Sequence, residues 1–145
     1  MYKRQDIELA FRLHHRFNMP VLYRPDAIAT HDHRYTPRDV MAREIKLGIA
    51  SWRFARASPA FALALFGRDI TTAAELTYSR DFIAREQSAV DRLAEDFEAL
   101  ARLPVRLESP TPSPPLLPIL ARQFLLLKRH LWRRGLLTAS RETHA

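Results

Sequence analysis

From Asp6 to Phe17 the apolar residues Leu9, Ala10, Leu13 and Phe17 fall at helical spacing, while Glu8, Arg12, His15 and Arg16 line the other side. The pattern predicts an amphipathic helix of about three turns. Asn18 suits a left-handed C-terminal cap, and Pro20 forbids continuation. Val21 to Tyr23 then predicts a short strand, Arg24-Pro25-Asp26 a turn, and Ala27 to His33 a second extended piece. Thr36-Pro37-Arg38-Asp39 opens the next helix with a hydroxyl cap, a proline at the first helical position and a carboxylate three residues after the cap. Val40, Ile45, Ile49 and Trp52 give that helix a buried side, and Ser58-Pro59 interrupts it.

Further along, Ala60 to Phe66 is apolar and stops at Gly67. Thr71 or Thr72 caps a long helix to about Leu103, striped by Leu76, Phe82, Ile83, Val90, Leu93, Phe97 and Leu100. Pro104 to Pro118 reads as a proline-rich extended connector. The last helix, about Leu117 to Leu137, carries Arg122, Lys128, Arg129, Arg133 and Arg134 with no acid among them. The expected chain is therefore mainly α-helical, with one short β element near residues 20–33.

Composition adds little to this. With 145 residues, 47% hydrophobic and 27% charged, the chain suits one core-forming domain or a piece of a larger one. The formal charge of +7 admits acidic partners, although scattered solvated arginines explain it equally well. No cysteine is present, which excludes a disulfide framework, a thiolate nucleophile and a Cys-based zinc site. No apolar run reaches the roughly 20 residues that span a bilayer. The expected location is cytoplasmic, with peripheral membrane contact allowed.

Two stretches exceed what a generic helical protein needs: DIELAFRL at the start and ATHDHRYT further on. In the second, His31 and His33 are two apart on an expected strand, and period two places both imidazoles on one face, where they can converge on a metal ion. By itself such a pair is also what a solvent-exposed strand end carries. Asp6 alone is equally an acid at a helix N-terminus. Glu8 and Arg12 form a favourable i,i+4 pair, as a helix-surface ion pair does. Arg43 and Lys46 lie one turn apart, as in a solvated basic face. His14, His15, His130 and His144 have no partner motif, and Trp52, Trp132 and the phenylalanines read as core.

Taken in order, DIELAFRLHHRFNMPVLYRPDAIATHDHRYTPRDVMAREIKLG resembles the C-terminal part of the catalytic domain of family 2 glycosyltransferases. Asp6, Glu8, Leu9, Arg12, Tyr23, Pro25, Ala27, His31, His33, Thr36, Arg43 and Gly48 carry the resemblance, over roughly the first third of the chain. It implies an α/β parent fold of the GT-A type and transfer of a sugar from a nucleotide-sugar donor to a hydroxyl of a saccharide or lipid-linked acceptor, with inversion at the anomeric carbon; Glu8 and Arg12 would then contact the acceptor, and Arg43 and Lys46 the diphosphate. Asp6 takes the place of the general base, removing the acceptor hydroxyl's proton as it attacks. His31 takes the place of a histidine that helps hold Mn2+ or Mg2+ on the diphosphate, with His33 as a second ligand or its support. An imidazole ligand favours Mn2+. Many bacterial enzymes of this type work at the inner membrane on envelope acceptors.

The sequence also departs from that family. Gln5 stands where the family has Glu, and no Asp-x-Asp occurs. A complete enzyme would need roughly 200 further residues upstream. MYKRQ is what ATGTATAAGAGACAG encodes, which resembles the end of a transposon adapter used in preparing sequencing libraries. The expectation is thus that residues 1–5 are adapter-encoded, 6–57 the end of a catalytic domain, 58–103 a helical extension, 104–118 a connector and 119–145 a basic amphipathic helix and tail. Such a piece is expected to be inactive alone and poorly stable. On this reading nucleic acid is not a partner. The alternative is a non-catalytic basic helical protein that binds nucleic acid or an anionic membrane surface, and a third reading is a helical interaction module.

Overall fold

Helix boundaries follow the cap chemistry. The computed structural model describes residues 5–20, 22, 24–26, 35–102 and 116–142, with the backbone alone at 5–8, 116 and 117. Among the described residues the elements are α1 (Gln5–Phe17), α2 (Pro37–Ala57), α3 (Pro59–Phe66), α4 (Ala73–Leu100) and α5 (Leu116–Glu142). Asn18 ends α1 at φ 50°, and the Met19 N–H reaches back to the Leu13 carbonyl at 3.4 Å. At the start of α2 the capping box is complete: Asp39 N–H donates to Thr36 Oγ1, and Thr36 N–H donates to the Asp39 carboxylate. Gly67 closes α3 in the left-handed region that a side chain disfavours. Thr72 caps α4, accepting from the Glu75 N–H at 3.2 Å.

No strand occurs among the described residues. The expected β element lies largely outside them; within it, Leu22 is not in a strand and Pro25–Asp26 form the expected turn. Two other expectations need correction. Helix α5 begins at Leu116, one residue before its expected start, and runs to Glu142, five residues beyond Leu137. A proline is tolerated in a first helical turn because its missing N–H has no intrahelical acceptor there, so Pro118 does not delay the start. The apolar side of α1 also differs: Leu9 and Phe17 are exposed, and Phe11 makes the contact with the core, 4.5 Å from the Phe61 ring.

The core is built on α5, which runs parallel to α2 and antiparallel to α4. Lys128 meets Glu44 and Glu142 meets Arg53, so numbers rise together along α5 and α2. Against α4 they run oppositely, with Arg133 on Glu75 and Phe124 on Phe97. One apolar cluster joins Trp52, Phe54, Phe61, Ile70, Leu136 and Ala139; a second joins Val90, Leu127 and Leu131.

Two glycines set how closely α2 and α5 approach. A β-carbon at Gly48 would fall within the envelope of the Trp132 carbonyl oxygen and 2.9 Å from Leu136 N. One at Gly135 would meet the Ile45 carbonyl and stand 3.0 Å from Ile49 N. Each helix therefore presents a bare backbone to the other. Beside this crossing, Trp132 Nε1 donates to Ser51 Oγ at 3.0 Å, and that hydroxyl donates to the Leu47 carbonyl. The buried indole N–H is satisfied by a side chain that itself needs no water.

Candidate functional site

Of the site residues selected from sequence, only Arg12, Arg43 and Lys46 have described side chains. Asp6 lies in the first turn of α1, with Glu8 on the same helix. The side chains of Asp6 and Glu8, and all of His31 and His33, lie outside the described residues. Arg12 is exposed on α1. Arg43 and Lys46 are exposed on α2, and the Arg43 guanidinium stands 5.6 Å from the centre of the Tyr35 ring. Tyr35 and Thr36 open a cavity of about 530 Å³, closed on the other side by Arg38, Glu98 and Arg102. Arg43 and Lys46 do not line it. Among the described residues no group of three or more His, Asp or Glu is placed to hold a metal ion.

A second cavity, of about 420 Å³, opens among α2, α4, α5 and the loop before α4. Its cations are Arg68, Lys128, Arg129 and Arg133, and one carboxylate, Glu44, faces it. Tyr78, Phe82, Leu125 and Trp132 form its apolar walls.

Arg133 is the best-held group in it. It is 8% exposed, and its Nη1 donates to Glu75 Oε1 and to Ser79 Oγ, both at 2.7 Å. The guanidinium stands 4.4 Å from the Tyr78 ring centre, within cation–π range. Arg68 grips the same carboxylate through Nε and Nη2, at 3.2 and 3.3 Å. Glu75 thus receives two guanidinium groups, while Thr72 anchors its backbone. A buried charge on α5 is tolerated because α4 brings the opposite charge and a hydroxyl to it. Lys128 finds Glu44 at 3.6 Å. Among the described residues Arg129 has no acidic partner.

His130 is another buried polar group of the bundle. It is fully buried, with Nε2 3.3 Å from the Ile83 carbonyl and Nδ1 without a hydrogen-bond partner. With Nε2 as donor, Nδ1 is a buried acceptor left empty. Burial pushes its pKa below the ordinary 6.5; the Ile83 carbonyl opposes this, Arg134 adds to it, and Asp91 and Glu86 oppose it more weakly.

Compared with protein-family models, with curated proteins and with solved structures, the chain matches none of them. No helix among the described residues is long and apolar enough to cross a membrane.

In the sequence Arg133 reads as one basic residue among several and His130 as ordinary, and neither Glu75 nor Ser79 stands out. A signal was available. Leu126, His130, Arg133, Leu137 and Ser140 recur at helical spacing, and Ser79 continues the stripe of Phe82 and Val90. Polar residues on an otherwise apolar stripe predict buried polar contacts, although the pattern does not name the partners.

Proposed function

We propose that the chain is the acceptor-side portion of a metal-dependent, inverting glycosyltransferase of the GT-A type. The observation that carries this reading is the ordered run of matching residues from Asp6 through His31 and His33 to Gly48. Local structure is compatible with that order. A helix begins at Gln5, a turn falls at Pro25–Asp26, and a capped helix starts after Thr36. On this reading Asp6 is the general base, and removing the acceptor's proton as the new bond forms makes a sugar hydroxyl a competent nucleophile.

His31, with His33 beside it, would help hold Mn2+ or Mg2+, whose charge offsets that of the departing nucleoside diphosphate. Glu8 and Arg12 would contact the acceptor, and Arg43 and Lys46 the diphosphate. The nucleotide-binding half and its Asp-x-Asp lie outside the 145 residues. The acceptor is a saccharide or lipid-linked hydroxyl, reached in the cytoplasm or from the inner face of a membrane.

Sequencing the source locus is the direct test. A frame that runs upstream of Asp6 through Glu-Asp to an Asp-x-Asp supports the proposal, and an in-frame stop there removes it. In the complete protein, Asp6→Asn should abolish transfer while nucleotide-sugar binding survives, and chelation should abolish activity until Mn2+ is restored. Retention of most activity in Asp6→Asn would eliminate Asp6 as base.

A second reading rests on the first turns of α5. Ile119 and Leu125 are 52% and 48% exposed, beside the basic Arg122 and Arg129. An exposed apolar and basic helix end is suited to peripheral contact with anionic head groups.

A further inference from the structure

We infer that the cavity among α2, α4 and α5 is a binding site for an organic phosphate, independent of the sugar-transfer reading. Four cations line it, and two carboxylates, Glu44 and Glu75, neutralise them only in part, leaving two positive charges without a counterion. Arg133 is the anchor. Both of its hydrogen bonds to protein use Nη1, so among the described residues the fork formed by Nε and Nη2 has no acceptor. That fork matches two oxygens of one phosphate group. Its position is already set by Glu75, Ser79 and the Tyr78 ring, so little side-chain freedom is lost on binding.

Arg129, on the same helix one turn earlier, supplies a charge that no described acid neutralises. The walls then select the rest of the ligand. Tyr78, Phe82 and Trp132 offer flat apolar surface, and Glu44 can accept a hydrogen bond from a hydroxyl or amine. A volume of about 420 Å³ holds a phosphate with a ring-sized body attached. The shared chemistry is a phosphate monoester on an organic body, supplied either by a soluble metabolite or by a lipid head group.

The test uses the whole chain and three probes: inorganic phosphate, phenyl phosphate, and phosphatidylcholine vesicles containing phosphatidic acid. Calorimetry and tryptophan fluorescence read the soluble probes, since Trp132 lines the cavity; co-sedimentation reads the vesicles. Arg129→Gln is compared with Arg56→Gln, which removes the same charge from an exposed α2 site outside the cavity. Phenyl phosphate should saturate by about 5 mM and bind tighter than inorganic phosphate, with Arg129→Gln weakening it about tenfold and Arg56→Gln leaving it unchanged. If vesicles bind more tightly than phenyl phosphate, are displaced by it and show the same dependence on Arg129, the source is a lipid head group and the site stands. Binding of neither phosphate ester, equal weakening by both variants, or phenyl phosphate binding no tighter than inorganic phosphate would overturn the inference.

Discussion

Replacing Gly48 by alanine tests the α2–α5 crossing, because two effects of opposite sign compete at one atom. In an isolated helix Gly→Ala is favourable by about 1 kcal/mol. In this helix the new methyl would penetrate the Trp132 carbonyl oxygen and stand 2.9 Å from Leu136 N and Trp132 C. Ordinary contacts of this kind lie at about 3.5 Å or more, so each is at least about half an ångström too short. The obstructing atoms are backbone, so no rotamer change relieves the overlap and the helices themselves must separate. Overpacking of this kind costs up to about 3 kcal/mol, so the net expectation is destabilisation of about 2 kcal/mol.

Urea unfolding followed by circular dichroism measures the change, and the corresponding fall in Tm is about 4–8 °C. Gly135→Ala should behave alike, since its β-carbon would meet the Ile45 carbonyl. The double variant should lose less than the sum, because one separation of the helices relieves both overlaps. A Gly48→Ala protein as stable as the parent, or more stable, would refute the close crossing and leave helix propensity as the controlling effect.

Other outcomes follow from the polar layer. Glu75→Gln removes the carboxylate shared by Arg68 and Arg133, and breaking this largely buried arrangement should cost about 3 kcal/mol in urea unfolding. Thr72→Ala removes the cap of α4 and should cost about 1 kcal/mol by the same measurement. For His130 the sign follows from its lowered pKa: between the folded value and 6.5 the unfolded chain binds the proton and the folded chain does not. Its contribution is therefore present above 6.5 and is lost as pH falls toward the folded value. His130→Leu should remove that part of the slope in a stability–pH profile, and an unchanged slope would show that His130 is not its source.

The local elements were legible in the sequence because their causes are local. Thr36 and Asp39 close a capping box within three residues, Thr72 accepts from Glu75 over the same span, and Asn18 and Gly67 take the left-handed conformation where helices stop. These preferences depend on near neighbours and survive whatever the rest of the chain does. The order of motif residues from Asp6 to Gly48 is likewise a property of sequence. It carries the proposal for sugar transfer, while the geometry of His31 and His33 lies outside the described residues.

Tertiary structure alone decided which faces meet. Helical periodicity marks an apolar side but does not say which helix covers it, so α1 was expected to bury Leu9 and Phe17 and instead touches the core through Phe11. The absence of acids from the expected last helix gave no hint that Glu44 and Glu75 would reach it from two other helices. Arg133 pairs with groups 54 and 58 positions away, and His130 with a carbonyl 47 away. Contacts over such distances depend on the packing of three helices at once, which no window of sequence contains. Gly48 shows both levels: the sequence placed it in a family-like motif, and the fold gave it a physical task, admitting the backbone of α5.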